Sequence, residues 1–274
     1  MRALILALTL LTTAAPALAQ SERVVEIDSR GQHVRSLLLT PAGELVGSVI
    51  LMAGGNGRLD LAEDGRIWSL MNNQLVYTRA AYAKAGYVTL VPDVAPDLKT
   101  DKNHKADVVA NYRAGAPHAQ DLGAMVEYLR KIKGPVVLIG TSLGTNSVAD
   151  GVVRLKGAQR PDAGVITSPA FDRPGTKELT VQKVAGDPKR IDLPFLTLVH
   201  KKDSCPASDT AAVDAFKAWF ERGGHKLDLI TLDGNGKVVG NPCDANSPHG
   251  FVGLDQQVVD GIVGWIKDKH LAAH

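Results

Sequence analysis

Cysteine is scarce in this chain. Two in 274 residues are too few for a small fold held together by disulfides. An excess of one charge is missing as well. The 31 Lys and Arg face 29 Asp and Glu, a formal net charge of +2. General nucleic-acid binders carry a clear basic excess, so no nucleic-acid partner is expected. Beyond the opening residues, no apolar run approaches the roughly 20 residues that a membrane helix needs. No internal repeat and no linker-like stretch divides the chain. What is present is ordinary for a globular protein, with 45% hydrophobic and 22% charged residues, which argues against wholesale disorder. The 27 glycines point to many tight turns rather than a helical bundle. The length suits one large α/β domain.

The first residues read as a secretory leader. Arg2 gives a positive start, residues 3–11 are apolar, and Ala17-Leu18-Ala19 is a small-x-small cleavage signal. The expected division is a signal peptide over 1–19, cut after Ala19, and a single domain over 20–274. The destination is then secreted or periplasmic, with no membrane attachment after cleavage. Export sets the redox context. A disulfide between Cys205 and Cys243 is the simple expectation. Two buried thiols, or a metal site drawing on His200, Asp203, Cys205 and Cys243, are the alternatives. The HxxDxC spacing matches no zinc pattern, so no metal is expected.

Short apolar runs alternate with helical patterns along the rest. Strands are expected at 23–28, 34–40, 46–52, 88–91, 136–139, 164–167, 195–199 and 227–231. Helices are expected at 73–85, 120–131, from 144 to about 156, at 211–222 and at 251–270. The polar stretch 93–117 reads as a long loop. The wholly apolar run at 136–139 is of the kind buried on both faces of a parallel sheet. After an opening hairpin, strand and helix repeat in turn. This implies a mostly parallel central sheet with helices on both faces.

The chemistry starts at Gly140-Thr141-Ser142-Leu143-Gly144, a G-x-S-x-G string. The string alone is weak, because Gly and Ser are common. Here it follows a buried strand and opens a helix, the setting of a nucleophile elbow. Ser142 could merely cap that helix, but its partners favour a nucleophile. Acyl transfer needs donors for the oxyanion. The Leu143 amide is one. The second is the amide of Gly55 or Asn56, in the glycine-rich loop after the third strand. Neither glycine cluster precedes a Lys-Ser/Thr pair, so a phosphate loop fits less well. A serine on such an elbow is followed along the chain by its acid and then its histidine. Asp203 lies just past the strand at 195–199, in HKKDSC. Asp192 precedes that strand and Asp209 reads as a helix start. Of the histidines after Asp203, His225 falls at the wrong end of the sheet, and His270 and His274 end the chain. His249, between the last strand and the last helix, remains as the general base. His118 and Asp121 read as structural, placed to bond the elbow from below. The cysteines flank these loops, Cys205 just after the acid and Cys243 shortly before the base.

With these residues assembled, the chain resembles the α/β-hydrolase superfamily over nearly all of 20–274. It is most similar to small secreted bacterial serine hydrolases. The motifs carrying the likeness are GGNG after the third strand, HAQD before the elbow, GTSLGT at it, KKDSC at the acid and NPCDANSPHGF at the base. The loop is GGNG rather than the HGGG of many lipases. The insertion at 168–193 is short, so a small cap and no large lid is implied. The reaction expected is hydrolysis of a small-molecule carboxylic ester through Ser142, His249 and Asp203, without metal or organic cofactor. A peptidase or amidase of the same fold, and a non-catalytic binding protein on a hydrolase scaffold, are the alternatives.

Overall fold

The computed structural model describes residues 20–99, 111–234 and 239–271. The expected leader and its cleavage point lie outside these residues. The strands are β1 (Ser21–Ser29), β2 (Gln32–Thr40), β3 (Gly47–Met52), β4 (Tyr87–Pro92), β5 (Val136–Thr141), β6 (Ala163–Thr167), β7 (Phe195–His200) and β8 (Asp228–Leu232). Besides a helical stretch at 111–113, the α-helices among the described residues are α1 (Gln74–Lys84), α2 (Pro96–Lys99), α3 (Ala116–Arg130), α4 (Gly144–Arg154), α5 (Val181–Ala185), α6 (Val213–Glu221) and α7 (Asp255–Asp268).

All eight strands join one sheet in the order β1-β2-β4-β3-β5-β6-β7-β8. β1 and β2 form the opening hairpin. Its turn is Arg30-Gly31, with φ of 52° and 70°, the pair of positive values that matches the twist of a two-residue hairpin. β2 runs antiparallel to β4, and from β4 onward every neighbour is parallel.

The reason lies in the residues. β3 and β5 are buried along their whole length, so both faces of the sheet must be covered. Val49, Leu51, Val137 and Ile139 point to one face, where α1 and α7 supply Leu75, Tyr82, Val258 and Ile262. Ile50, Met52 and Leu138 point to the other. There α3, α4 and α6 supply Leu122, Leu129, Val148, Val152, Phe216 and Phe220. β8 is one of the two edge strands and alternates half-buried with exposed.

Three expectations change by more than two residues. The helix expected from 120 begins at Ala116, because Pro117 carries a preset φ into its first turn. The stretch 93–117 is not one loop: it holds α2, and residues 111–113 are helical. Its residues 100–110 lie outside the described set. The last helix starts at Asp255, not 251. Phe251 and Gly253 sit at φ of 57° and 79°, which forces a turn before the helix can begin. No helix among the described residues is long and apolar enough to cross a membrane.

Candidate active site

β5 delivers Ser142 at the carboxyl edge of the sheet. Its φ is 52°, a conformation that costs a residue with a Cβ about 1–3 kcal/mol. Hydrogen bonds hold it there. The Ser142 amide donates to the Thr167 carbonyl at 3.0 Å. The Thr145 amide and hydroxyl both donate to the Ser142 carbonyl, at 3.0 and 2.6 Å. The flanking glycines are steric necessities. A Cβ at Gly140 would stand 2.4 Å from the Gly144 oxygen, and one at Gly144 only 2.1 Å from the Met52 oxygen. Backbone meets backbone at both points, so no side chain can yield. Gly144→Ala is therefore expected to push α4 away from β3 and destabilise the fold by about 3 kcal/mol. Urea midpoints of the purified variant check this, and an unchanged midpoint would refute the close approach.

Ser142, His249 and Asp203 meet at that edge. His249 Nε2 is 3.0 Å from Ser142 Oγ, and His249 Nδ1 is 2.9 Å from Asp203 Oδ2. A carboxylate at Nδ1 keeps the ring proton there and leaves Nε2 free to accept from the hydroxyl. His249 and Asp203 are buried, whereas Ser142 is half-buried. The second Asp203 oxygen accepts from the Cys205 amide at 2.9 Å. Cys205 is disulfide-bonded to Cys243, so the acid loop is tied covalently to the segment that leads into His249. Among the described residues no group of three His, Cys, Asp or Glu could share a metal ion.

The histidine loop has supports that the sequence did not reveal. Ser168, just past β6, donates its hydroxyl to the His249 carbonyl at 2.7 Å. Ser208 donates in turn to the Ser168 carbonyl at 2.9 Å. The His249 amide donates to Ser247 Oγ at 3.1 Å. Ser168 carries no local motif, and its partner is 81 residues away.

The loop after β3 forms the other wall. Gly55, at φ 55°, lines a cleft of about 390 Å³ that also exposes Ser142 and His249. Asn56 instead lines a cavity on the far side of the loop, and its Oδ1 accepts from the Arg58 amide at 3.0 Å. Neither the Leu143 nor the Gly55 amide has an acceptor among the described residues. Arg113, 3% exposed, fixes this wall from behind. Its guanidinium donates to the Ala53 carbonyl at 2.8 Å and to Ser147 Oγ at 2.9 Å, joining the loop to α4. Burial pulls its pKa down to about 10, so it stays charged at neutral pH. Arg113 stood unmarked in a polar stretch. The only trace was Gly57, where a Cβ would fall 2.1 Å from the guanidinium.

His118 and Asp121 correct one expectation, since neither bonds the elbow. Asp121 accepts from Arg30 at 2.8 and 2.7 Å and from Tyr112. His118 is buried with Nε2 unpartnered. Burial, with Arg113 and Arg30 nearby opposing Asp121, pulls its pKa from 6.5 to about 3. The unfolded histidine takes a proton below pH 6.5 and the folded one refuses it until about pH 3. Its contribution to stability is thus complete above 6.5 and shrinks on acidification, by at most about 1.4 kcal/mol per pH unit. His118→Leu is expected to narrow the gap between urea midpoints at pH 7 and pH 4. An equal gap in both proteins would contradict this.

The insertion at 168–193 packs sideways. Val181 enters the core, and Asn146 of α4 donates to the Leu179 carbonyl at 3.4 Å. None of its residues lines the cleft, so it is no lid over Ser142.

No protein-family model matches the chain, and no curated protein matches its sequence. Its fold is shared with many solved structures. A dienelactone hydrolase from Anabaena variabilis superposes with a TM-score of 0.58 at 17% identity, over 93% of this chain and 99% of that one. Esterase 2 from Thermogutta terrifontis, solved phosphoramylated by tabun, gives 0.56 at 13%, over 96% and 98%. An acylaminoacyl peptidase from Pyrococcus horikoshii gives 0.59 at 12%, over 90% of this chain but 41% of that one. These neighbours are hydrolases, and the likeness establishes the α/β-hydrolase fold.

Proposed function

We propose that this chain is a serine hydrolase of carboxylic esters. The observation that carries the reading is the unbroken path from Ser142 Oγ through both nitrogens of His249 to Asp203, with bonds of 3.0 and 2.9 Å, opening on one cleft. Ser142 Oγ attacks the ester carbon while His249 Nε2 takes its proton. The Leu143 and Gly55 amides receive the oxyanion, with Asn56 the weaker candidate because it faces the other cavity. The imidazolium, steadied by Asp203, returns the proton to the departing alcohol and leaves an acyl group on Ser142. Water then attacks that acyl group, losing a proton to His249, and the acid and the free serine are released. These steps need no cofactor.

The likeness to an acylaminoacyl peptidase favours a second reading, amide hydrolysis, but it spans less than half of that protein. The test pairs a p-nitrophenyl ester with the p-nitroanilide of the same acyl group. Turnover of the ester with little or none of the anilide is expected. Equal rates would favour the amidase reading, and no turnover of either would favour a binding protein. The Cys205–Cys243 disulfide fits an oxidising compartment. It supports reading 1–19 as a leader, which N-terminal sequencing of exported protein would show by a start at Gln20.

A further inference from the structure

The cleft beside Ser142 holds polar groups that the proposed chemistry does not use. Residues 68–74 enter it through a strained turn. Leu70 sits at φ 56°, with its side chain against Gly55. Asn73 occupies the N-cap position of α1, a place where Asn ordinarily bonds the helix amides. Its side chain makes no such bond. Its Nδ2 lies instead beside Gly54, 3.2 Å from the point where a Cβ of that glycine would stand, and Ser142 Cβ is 3.1 Å from the same point. Its Oδ1 is buried without a partner. The next residue repeats the pattern. Gln74 is 2% exposed and lines the cleft, and its Oε1 is unpartnered. Its orientation is fixed because Nε2 donates to Thr78 Oγ1 at 3.4 Å while that hydroxyl donates to the Gln74 carbonyl at 2.7 Å.

Two carboxamide oxygens thus lie buried without protein donors, in residues that line the cleft beside Ser142. Unpaired buried acceptors are costly, and each calls for a partner such as a water or a ligand. Their complement is a group that brings hydrogen-bond donors. At the mouth stands Trp68, 63% exposed. Its backbone amide is anchored to the Leu59 carbonyl at 3.1 Å, and the Arg66 guanidinium stacks 5.0 Å from its ring centre. That stack steadies a ring that stays largely exposed. Among the described residues lining the cleft there is no Lys or Arg, and the one carboxylate is Asp244. The cation at the mouth, Arg66, is paired with Asp64 at 2.7 Å. An open indole face, uncharged carboxamides and a single carboxylate acceptor together suit a neutral ring carrying several hydroxyls. The C–H face of such a ring lies on the indole while its hydroxyls reach toward the Asn73 and Gln74 carboxamides.

We propose that this cleft is a subsite for a neutral sugar or similar polyol, so that the substrate is an ester whose alcohol part is polyhydroxylated. Trp68 is the platform, and Asn73 and Gln74 are the specificity-determining residues. The proposal rests on the serine-hydrolase reading for the reaction, but the binding of the sugar does not depend on it.

Two measurements separate the two ideas. The first compares kcat/KM for an acetylated methyl xyloside with that for cyclohexyl acetate, a ring alcohol that lacks the other hydroxyls. The sugar ester is expected to be favoured by about tenfold or more, and Trp68→Ala, Asn73→Ala and Gln74→Leu to bring the ratio toward one. The second titrates methyl xyloside into the Ser142→Ala protein and follows tryptophan fluorescence. A saturable change is expected, and its loss in a Ser142→Ala/Trp68→Ala protein. A ratio of one or below in the wild-type protein, or no saturable change, overturns the subsite even if esters are hydrolysed. Absence of all ester turnover with a saturable change would instead sink the hydrolase reading and leave the sugar site standing. Preference for an N-acyl dipeptide over the sugar ester would also overturn it, assigning the two oxygens to amide donors.

Discussion

Ser142→Ala is expected to lower kcat on a small aryl ester by about 10⁴- to 10⁶-fold while leaving the melting temperature nearly unchanged. The size follows from what is removed, since no other described residue places a hydroxyl 3.0 Å from His249 Nε2. The indifference of stability follows from φ. At 52° alanine bears the same steric penalty as serine. Ser142→Gly separates the two effects. It also removes the nucleophile, yet it relieves the Cβ clash and should stabilise the fold by about 1 kcal/mol. His249→Ala should lose about as much activity as Ser142→Ala, and the double variant little more, because the groups act as a unit. Steady-state assays and melts on the four proteins check the set. A Ser142→Ala protein with more than a few per cent of wild-type kcat would refute the nucleophile.

The Cys205→Ser/Cys243→Ser protein is expected to lose both stability and activity, and activity first. The bridge closes a loop with a sequence separation of 38, for which loop-closure entropy gives about 3–4 kcal/mol. In a chain of this length that lowers the melting temperature by about 10 °C. The catalytic effect has a different origin. The Cys205 amide holds one oxygen of Asp203 while the other holds His249, so a loosened acid loop lets the ring drift. Misplacement by about 1 Å can cost about 10²-fold in rate. Titration with reductant at 25 °C should therefore slow ester turnover before circular dichroism changes. Loss of both signals together would assign the bridge to stability alone. Full activity in the double variant would remove it from the account.

Much of this architecture is visible in the chain itself, for a physical reason. β3 and β5 are short apolar runs bounded by glycine or proline, and burial on both faces leaves no room for polar alternation. Ser142, Asp203 and His249 are each located by what surrounds them: a strand end, a turn and a helix start. Boundaries were less legible where two local signals conflict. Gly115 and Pro117 punctuate like a loop, yet the proline sits in the first turn of α3. Phe251 looks like the first core residue of the last helix, but it closes a 3-10 turn in left-handed conformation.

The groups that sequence reading missed are those whose partners are remote. Arg113 bonds Ala53, 60 residues away. Arg30 turns Asp121 away from the elbow across 91 residues. Ser168 and Asn73 look like ordinary loop and cap residues. Only the folded chain shows that one props the histidine loop and the other declines to cap its helix. Asp93 is of the same kind: buried after β4, it accepts from the Leu59 and Leu61 amides at 2.8 and 2.9 Å and shapes the chain leading to Trp68.

The central claim is that Ser142 is a nucleophile made reactive by His249. Incubation with a fluorophosphonate, followed by mass spectrometry of the digested protein, reads this without any assumption about substrate. One adduct per chain is expected, on the peptide containing Ser142, and none on folded His249→Ala protein under the same exposure. An unmodified Ser142 in folded wild-type protein, or equal labelling with and without His249, would contradict the account.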